Sequence, residues 1–190
     1  MPCCAGSGVP NDKFSTLPDA CYHGNLDKIK EIMKKDKDAD LTKCDHDGNT
    51  CLHRAAQSGS AEVITFLLEN GADPSKKTKA GETALQVAVF HRNLTAVQAL
   101  LKSKGVSKII NFKDDKLQMT PLHVAIRNGS ADIVKVLLDN GADVKEQDAT
   151  AQDALALALF WNQQAQSGMA SPKAEHGKAL EFIQKAVDKL

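Results

Sequence analysis

The phrase Thr120-Pro121-Leu122-His123-Val124-Ala125 has two earlier versions in the chain, Thr83-Ala84-Leu85-Gln86-Val87-Ala88 and Thr50-Cys51-Leu52-His53-Arg54-Ala55. The versions lie 37 and 33 residues apart. A motif recurring at that interval is one small supersecondary unit, too small to bury its own apolar face. Such units gain a core only by stacking, which constrains the chain to a solenoid in which each unit touches its neighbours. The functional question then shifts from chemistry to surface.

Following the period in both directions gives five units anchored at Ala20, Ala55, Ala88, Ala125 and Ala158, with spacings of 35, 33, 37 and 33 residues. A second apolar pair recurs downstream as Ile32-Met33, Leu67-Leu68, Leu100-Leu101 and Leu137-Leu138. After it comes Asn70-Gly71-Ala72-Asp73 or Asn140-Gly141-Ala142-Asp143, with a weak echo at Asp38-Ala39-Asp40. The pattern predicts two short helices per unit, packed closely at the small alanine. A glycine then ends the second helix in a left-handed conformation. The unit boundaries fall at about 14–44, 45–77, 78–114, 115–147 and 148–190, after a flexible leader at 1–13.

These motifs resemble the ankyrin repeat. Asp45-x-x-Gly48-x-Thr50-x-Leu52-His53-x-Ala55-Ala56-x-x-Gly59 and Leu67-Leu68-x-x-Gly71-Ala72-Asp73 fit that family's pattern nearly throughout. The resemblance covers roughly 14–161, with a divergent helix at about 173–190 completing the last repeat. It implies an all-α ankyrin-repeat solenoid of helix-turn-helix units joined by hairpin loops. The first unit lacks the Thr and His, and the last has Asp153-Ala154-Leu155-Ala156 in place of Thr-Pro-Leu-His. Both read as caps, because terminal repeats need a water-facing outer side. The third unit carries a four-residue insertion within 103–119.

Composition agrees with one solenoid. The chain has 190 residues, 4% of them aromatic, and its 24 basic side chains balance 24 acidic ones. That balance gives no footprint for nucleic acid or a membrane surface. The first ten residues have neither the basic segment nor the apolar run of a secretory signal. The apolar stretch at 154–161 is too short to span a bilayer. Five cysteines, an odd number, argue for a reducing compartment over a disulfide framework. The expectation is a cytoplasmic protein, with the nucleus equally compatible, and a monomer.

Candidate chemistry is thin. Cys44-x-His46 and Cys51-x-His53 offer four zinc-ligand types, but closed zinc sites use tighter, better matched spacing. In the family, the His of the Thr-Pro-Leu-His phrase hydrogen-bonds neighbouring loops, which accounts for His53 and His123. Gly6-x-Gly8 has no strand before it and is no phosphate cradle. Asn93-x-Thr95 and Asn128-x-Ser130 are glycosylation sequons in form only. No nucleophile–base constellation stands out, so neither catalysis nor a metal or cofactor is expected. Cys3-Cys4 is a candidate for double acylation, which would make the protein a membrane-tethered adaptor.

The resemblance directs attention to the groove. In the family, the two residues after the small pair that ends the Thr-x-Leu-His-x-Ala phrase point into the concave face and vary with the partner. Here they are Tyr22-His23, Gln57-Ser58, Phe90-His91, Arg127-Asn128 and Phe160-Trp161. Four of the eight aromatic residues fall on these ten positions. Large aromatics and Arg dominate binding hot spots. A one-position slip would turn Phe90 or Phe160 inward, and Trp161 has the alternative of packing under the segment that follows it.

The hairpin tips form the family's other binding surface, here His46, Asp47 and Asn49, then Lys77, Lys79, Ala80 and Glu82, then Lys116, Leu117 and Met119. With Lys76, Lys102, Lys104, Lys108 and Lys113, the middle of this edge reads as basic, suited to an acidic protein segment. A polar loop is expected at 162–172, then a capping helix whose Leu180, Ile183, Val187 and Leu190 share one face. The functional expectation is a non-enzymatic protein–protein interaction module, an adaptor or scaffold. The alternative is a regulatory subunit of an enzyme or transcription factor.

Overall fold

A computed structural model describes residues 16–35, 40–102, 109–168 and 175–189. Ten helices are present among them, labelled here in chain order: α1 Leu17–Tyr22, α2 Leu26–Lys35, α3 Cys51–Ser58, α4 Ala61–Glu69, α5 Ala84–Phe90, α6 Leu94–Leu101, α7 Pro121–Asn128, α8 Ala131–Asp139, α9 Ala154–Gln166 and α10 His176–Val187. They stack in two rows. The inner row runs α1, α3, α5, α7, α9, each packed on the next, and the outer row joins α4 to α6, α6 to α8 and α8 to α10. No strand occurs among the described residues; the hairpins close through the single bridges Cys44–Thr50 and Lys77–Thr83.

The repeated residues fill the seams. Ala20, Ala55, Ala88, Ala125 and Ala158 are all buried, as are Leu67, Leu100 and Leu137. In the first unit Ile29 is the fully buried residue of α2, while Ile32 and Met33 are half-buried. Helices of seven to nine residues are too short to persist alone. Their stability comes from this stacking and from capping. Thr83 and Thr120 cap α5 and α7, accepting from the Gln86 and His123 amides at 3.4 Å each.

In the second and fourth units a buried histidine then reaches the next hairpin. The Thr50 amide donates to His53 Nδ1 at 3.2 Å, and His53 Nε2 lies 3.1 Å from the Glu82 carbonyl. His123 repeats this with Thr120 and with the Gln152 carbonyl, at 3.2 Å each. An Nδ1 that accepts leaves the proton on Nε2, so both rings are neutral and bridge two units. Burial pushes both imidazoles below their ordinary pKa.

The end of the chain departs from expectation. α9 continues through residue 166, so 162–166 is helix where a loop was expected. Gln163 and Gln166 there are exposed and Asn162 and Gln164 half-buried, while Ala154, Leu157 and Ala158 pack inward, and polarity alone does not stop a helix. α10 packs on both α8 and α9, with Ile183 buried and Leu180 and Val187 half-buried beside it. Leu190, the leader with Cys3 and Cys4, and Lys104 and Lys108 lie outside the described residues.

Candidate functional site

Three inner-row helices carry aromatics that point outward, Tyr22 and Phe90 as the last residues of α1 and α5 and Phe160 midway along α9. Tyr22 is 42% exposed, Phe90 62% and Phe160 44%. Each stands edge-on to the residue that follows it: Tyr22 to His23 at 5.2 Å, Phe90 to His91 at 5.4 Å and Phe160 to Trp161 at 5.5 Å between ring centroids. Val89 is fully buried and Phe90 is not, so the helix register turns Phe90 to solvent. Leu159, beside Phe160, is exposed as well. A row of exposed rings on a preformed surface offers large apolar area without further ordering of the receptor.

Four expected groove residues have other engagements. The Trp161 ring is half-buried and stacks on His176 at 5.8 Å and 17° between planes, which fastens α9 to the start of α10. Trp161 is thus half-buried against α10, while Phe160 and Leu159 are the exposed large apolar residues of that unit. The Asn128 side-chain amide donates to the Val89 and Phe90 carbonyls at 3.3 Å each, fixing the end of α5. Gln57 accepts from Arg54 at 3.2 Å, and Arg54 also pairs with Asp45. The Ser58 hydroxyl donates to the Ala55 carbonyl at 3.1 Å. Arg127 and His91 are exposed.

Asn93, read from sequence only as part of a sequon, donates to the Ala56 and Gln57 carbonyls at 3.0 and 2.8 Å. It joins the second and third units. Its position just before a helix hid this role, since the same residue type there caps helices locally.

A cavity of about 590 Å³ lies between the first two units, lined by Tyr22, Gln57, Arg54, Cys44 and Cys51 among others. The sequence pattern gave no sign of it, because the first unit lacks the repeated phrase. Burial pushes the Asp45 carboxyl at its edge up. Hydrogen bonds from Asn49, Arg54 and the Asp47 amide outweigh burial and hold the group at about 2.

At the hairpin tips, Asp47, Asn49, Lys79, Glu82 and Lys116 line a shared recess of about 390 Å³. The geometry explains the close approach of the tips. Gly48 has φ +83, and a Cβ there would sit 2.7 Å from the Lys79 amide nitrogen, which itself donates to the Asp47 carbonyl at 2.9 Å. Asn49 is tied to the Asp45 carboxylate, while the exposed His46 lies 3.0 Å from Asp47. Met119, expected at a tip, is buried.

The basic edge is more neutral than its composition suggests. Lys77 pairs with Asp115 at 2.9 Å and lies 4.3 Å over the Phe112 ring, and Lys113 pairs with Glu146 at 2.7 Å. Lys79 and Lys116 share their recess with Asp47 and Glu82. In both ion pairs the carboxylate comes from the next hairpin along the chain, so charge there holds successive hairpins together.

Comparison with known proteins agrees with the geometry. A family model described as ankyrin repeats (3 copies) matches residues 17–111, 74–148 and 109–165. The chain belongs to the ankyrin-repeat family. Members of this family serve as protein-interaction modules and are generally non-catalytic. The chain is 34% identical over 120 residues to alpha-latrocrustotoxin-Lt1a of Latrodectus tredecimguttatus, covering 63% of this chain and 8% of that protein. It is 33% identical over 138 residues to the probable 26S proteasome regulatory subunit p28 of Saccharomyces cerevisiae, covering 70% and 59%. To the B-cell lymphoma 3 protein homolog of Mus musculus it is 32% identical over 99 residues, covering 52% and 22%. The chain thus spans less than two thirds of the length of each of these relatives. Among the described residues no helix is long and apolar enough to cross a membrane.

Proposed function

We propose that the chain is a non-enzymatic adaptor that holds a protein partner along the groove face, with Tyr22, Phe90 and Phe160 as anchors and the hairpin tips as a polar rim. The observation that carries this reading is the triplet of outward-facing aromatics, Tyr22 and Phe90 as the last residues of α1 and α5 and Phe160 within α9. Burying one such ring is worth roughly 1.5–3 kcal/mol of transfer free energy, so three can dominate an interface whose other contacts are near neutral. His91 and Arg127 beside them supply hydrogen bonds at the centre of the face. Asp47, Lys79, Glu82 and Lys116 set orientation at the rim. Their mixed charge suits a partner segment of mixed charge, with Lys79 and Lys116 the points for an acidic group.

Affinity capture from lysate tests this, comparing wild type with a Tyr22→Ala/Phe90→Ala/Phe160→Ala variant whose helicity is first matched by circular dichroism. Partners lost only from the variant support the groove. Partners retained equally by both proteins contradict it.

The likeness to a proteasome regulatory subunit favours a second reading, in which the chain regulates one enzyme or complex. That reading predicts a single stoichiometric partner in the same capture, whereas a scaffold predicts several.

A further inference from the structure

Among the described residues the inner row ends at α9, so α9 shows what a following helix covers in the earlier units. Leu52, Leu85 and Leu122 are buried there, and so are Ala56, Val89 and Ile126 four residues later. Directly after each leucine stands a buried His53, Gln86 or His123, which reaches forward to the Glu82, Met119 or Gln152 carbonyl of the next hairpin. The repeat spacing puts Leu155, Ala156 and Leu159 at these three positions of α9. Here Leu155 is only half-buried, Ala156 is exposed and Leu159 is 52% exposed. Ala154 and Ala158 stay buried like their equivalents, so the register is unchanged. Leu155 and Leu159 lie one turn apart on the same helix face, with Ala156 beside them. They form an apolar stripe that faces forward, as the bridging side chains of the earlier units do.

We propose that this stripe is a self-association surface, on which α9 packs against α9 of a second copy of the chain about a two-fold axis. The earlier units indicate the covering element, because each inner-row helix before α9 has another helix packed on it. Two features favour a second copy over a further hairpin-bearing unit. Ala156 replaces the bridging His or Gln, so the face offers a following hairpin no side chain to bond. The helix Ala154–Gln166 also holds no charged residue, so nothing on it repels its own copy. A two-fold contact sets Leu155 of one copy against Leu159 of the other, and the small Ala156 lets the helices approach closely. Such a contact is self-complementary and closes at two chains. Terminal repeats ordinarily carry a water-facing outer side, and these two leucines depart from that rule. Tyr22 and Phe90 lie on other units and take no part in the contact. Two crossed helices bury less than the roughly 1,200 Å² of a standard interface, so the dimer is weak, with Kd on the order of 100 µM.

Sedimentation equilibrium of the full chain tests this, run under dithiothreitol so that the exposed Cys44 forms no cross-link, from roughly 10 µM to 1 mM. The expected result is a monomer–dimer equilibrium without larger species. Leu159→Glu, at a position already exposed, should weaken the dimer at least tenfold, with helicity matched by circular dichroism. Ala156→Glu, also at an exposed position, should do the same and replaces the first variant if that one is poorly folded. Phe90→Ala should dimerise like wild type. A wild type that stays monomeric throughout would overturn the proposal and leave the stripe to a helix of a different protein. A dimer lost in Phe90→Ala but kept in Leu159→Glu would overturn it too, since the copies would then meet through the aromatic face.

Discussion

Gln86 donates from Nε2 to the Met119 carbonyl at 2.8 Å, across the junction of the third and fourth units. The same nitrogen lies 3.2 Å from the Phe112 carbonyl, and Oε1 accepts from the Thr83 amide at 2.9 Å. Gln86 thus performs with an amide what His53 and His123 perform with an imidazole. The glutamine version is indifferent to pH and the histidine version is not.

A pH dependence of stability follows. Burial lowers the folded-state pKa of His53 and His123 below the ordinary 6.5. The unfolded chain therefore binds more protons as pH falls through that value, and stability rises with pH in that window. Their contribution is fully present above about 6.5 and declines as pH drops toward the lowered folded values. Thermal melts from pH 7.5 to 5 should show Tm falling with pH. His53→Gln/His123→Gln, which copies the third unit, should flatten that slope. An unchanged slope would show that these two rings do not carry it.

Removing the glutamine itself should be costly. Gln86→Ala leaves the Thr83 amide and the Met119 carbonyl without this partner in a buried junction. Stranding the Thr83 amide costs about 1–3 kcal/mol, while the Met119 carbonyl keeps the Asp114 amide at 3.2 Å, so a loss of roughly 1–3 kcal/mol is expected from denaturant unfolding. A loss below about 1 kcal/mol would mean that water substitutes readily at this junction.

Backbone strain gives a prediction of the opposite sign. Ala151 has φ +58 at the hairpin position where the second and third units place Gly48 and Gly81. A non-glycine residue there is disfavoured by roughly 1–2 kcal/mol, partly offset by the greater freedom glycine has when unfolded. Ala151→Gly should stabilise the chain by about 0.5–1 kcal/mol. Gly81→Ala should do the reverse and more strongly, since its Cβ would lie 2.6 Å from the Asp115 amide nitrogen. A neutral or destabilising Ala151→Gly would contradict the strain argument.

The architecture was legible because it is written several times over. One unit's Thr-x-Leu-x-x-Ala is a weak pattern, but three copies at 33 and 37 residues leave little freedom. The outward turn of Phe90 was legible for the same reason, since its register follows from Ala88. What depends on how units meet was not legible. The pairing of Lys77 with Asp115 and the Asn93 bonds to Ala56 and Gln57 join residues 36–38 apart. No local pattern marks them. Trp161 stacks on His176 because α10 folds back over α9, a choice made by packing after a segment with no repeat signature.

The groove reading is tested most directly by binding of the captured partner to wild type, to Phe90→Ala and to a control, Glu62→Ala, on the outer-row helix α4. Loss of the most exposed ring should weaken Kd by about tenfold or more, the effect of about 1.4 kcal/mol, while Glu62→Ala leaves Kd unchanged. Equal affinities for all three proteins would contradict the groove as the binding surface.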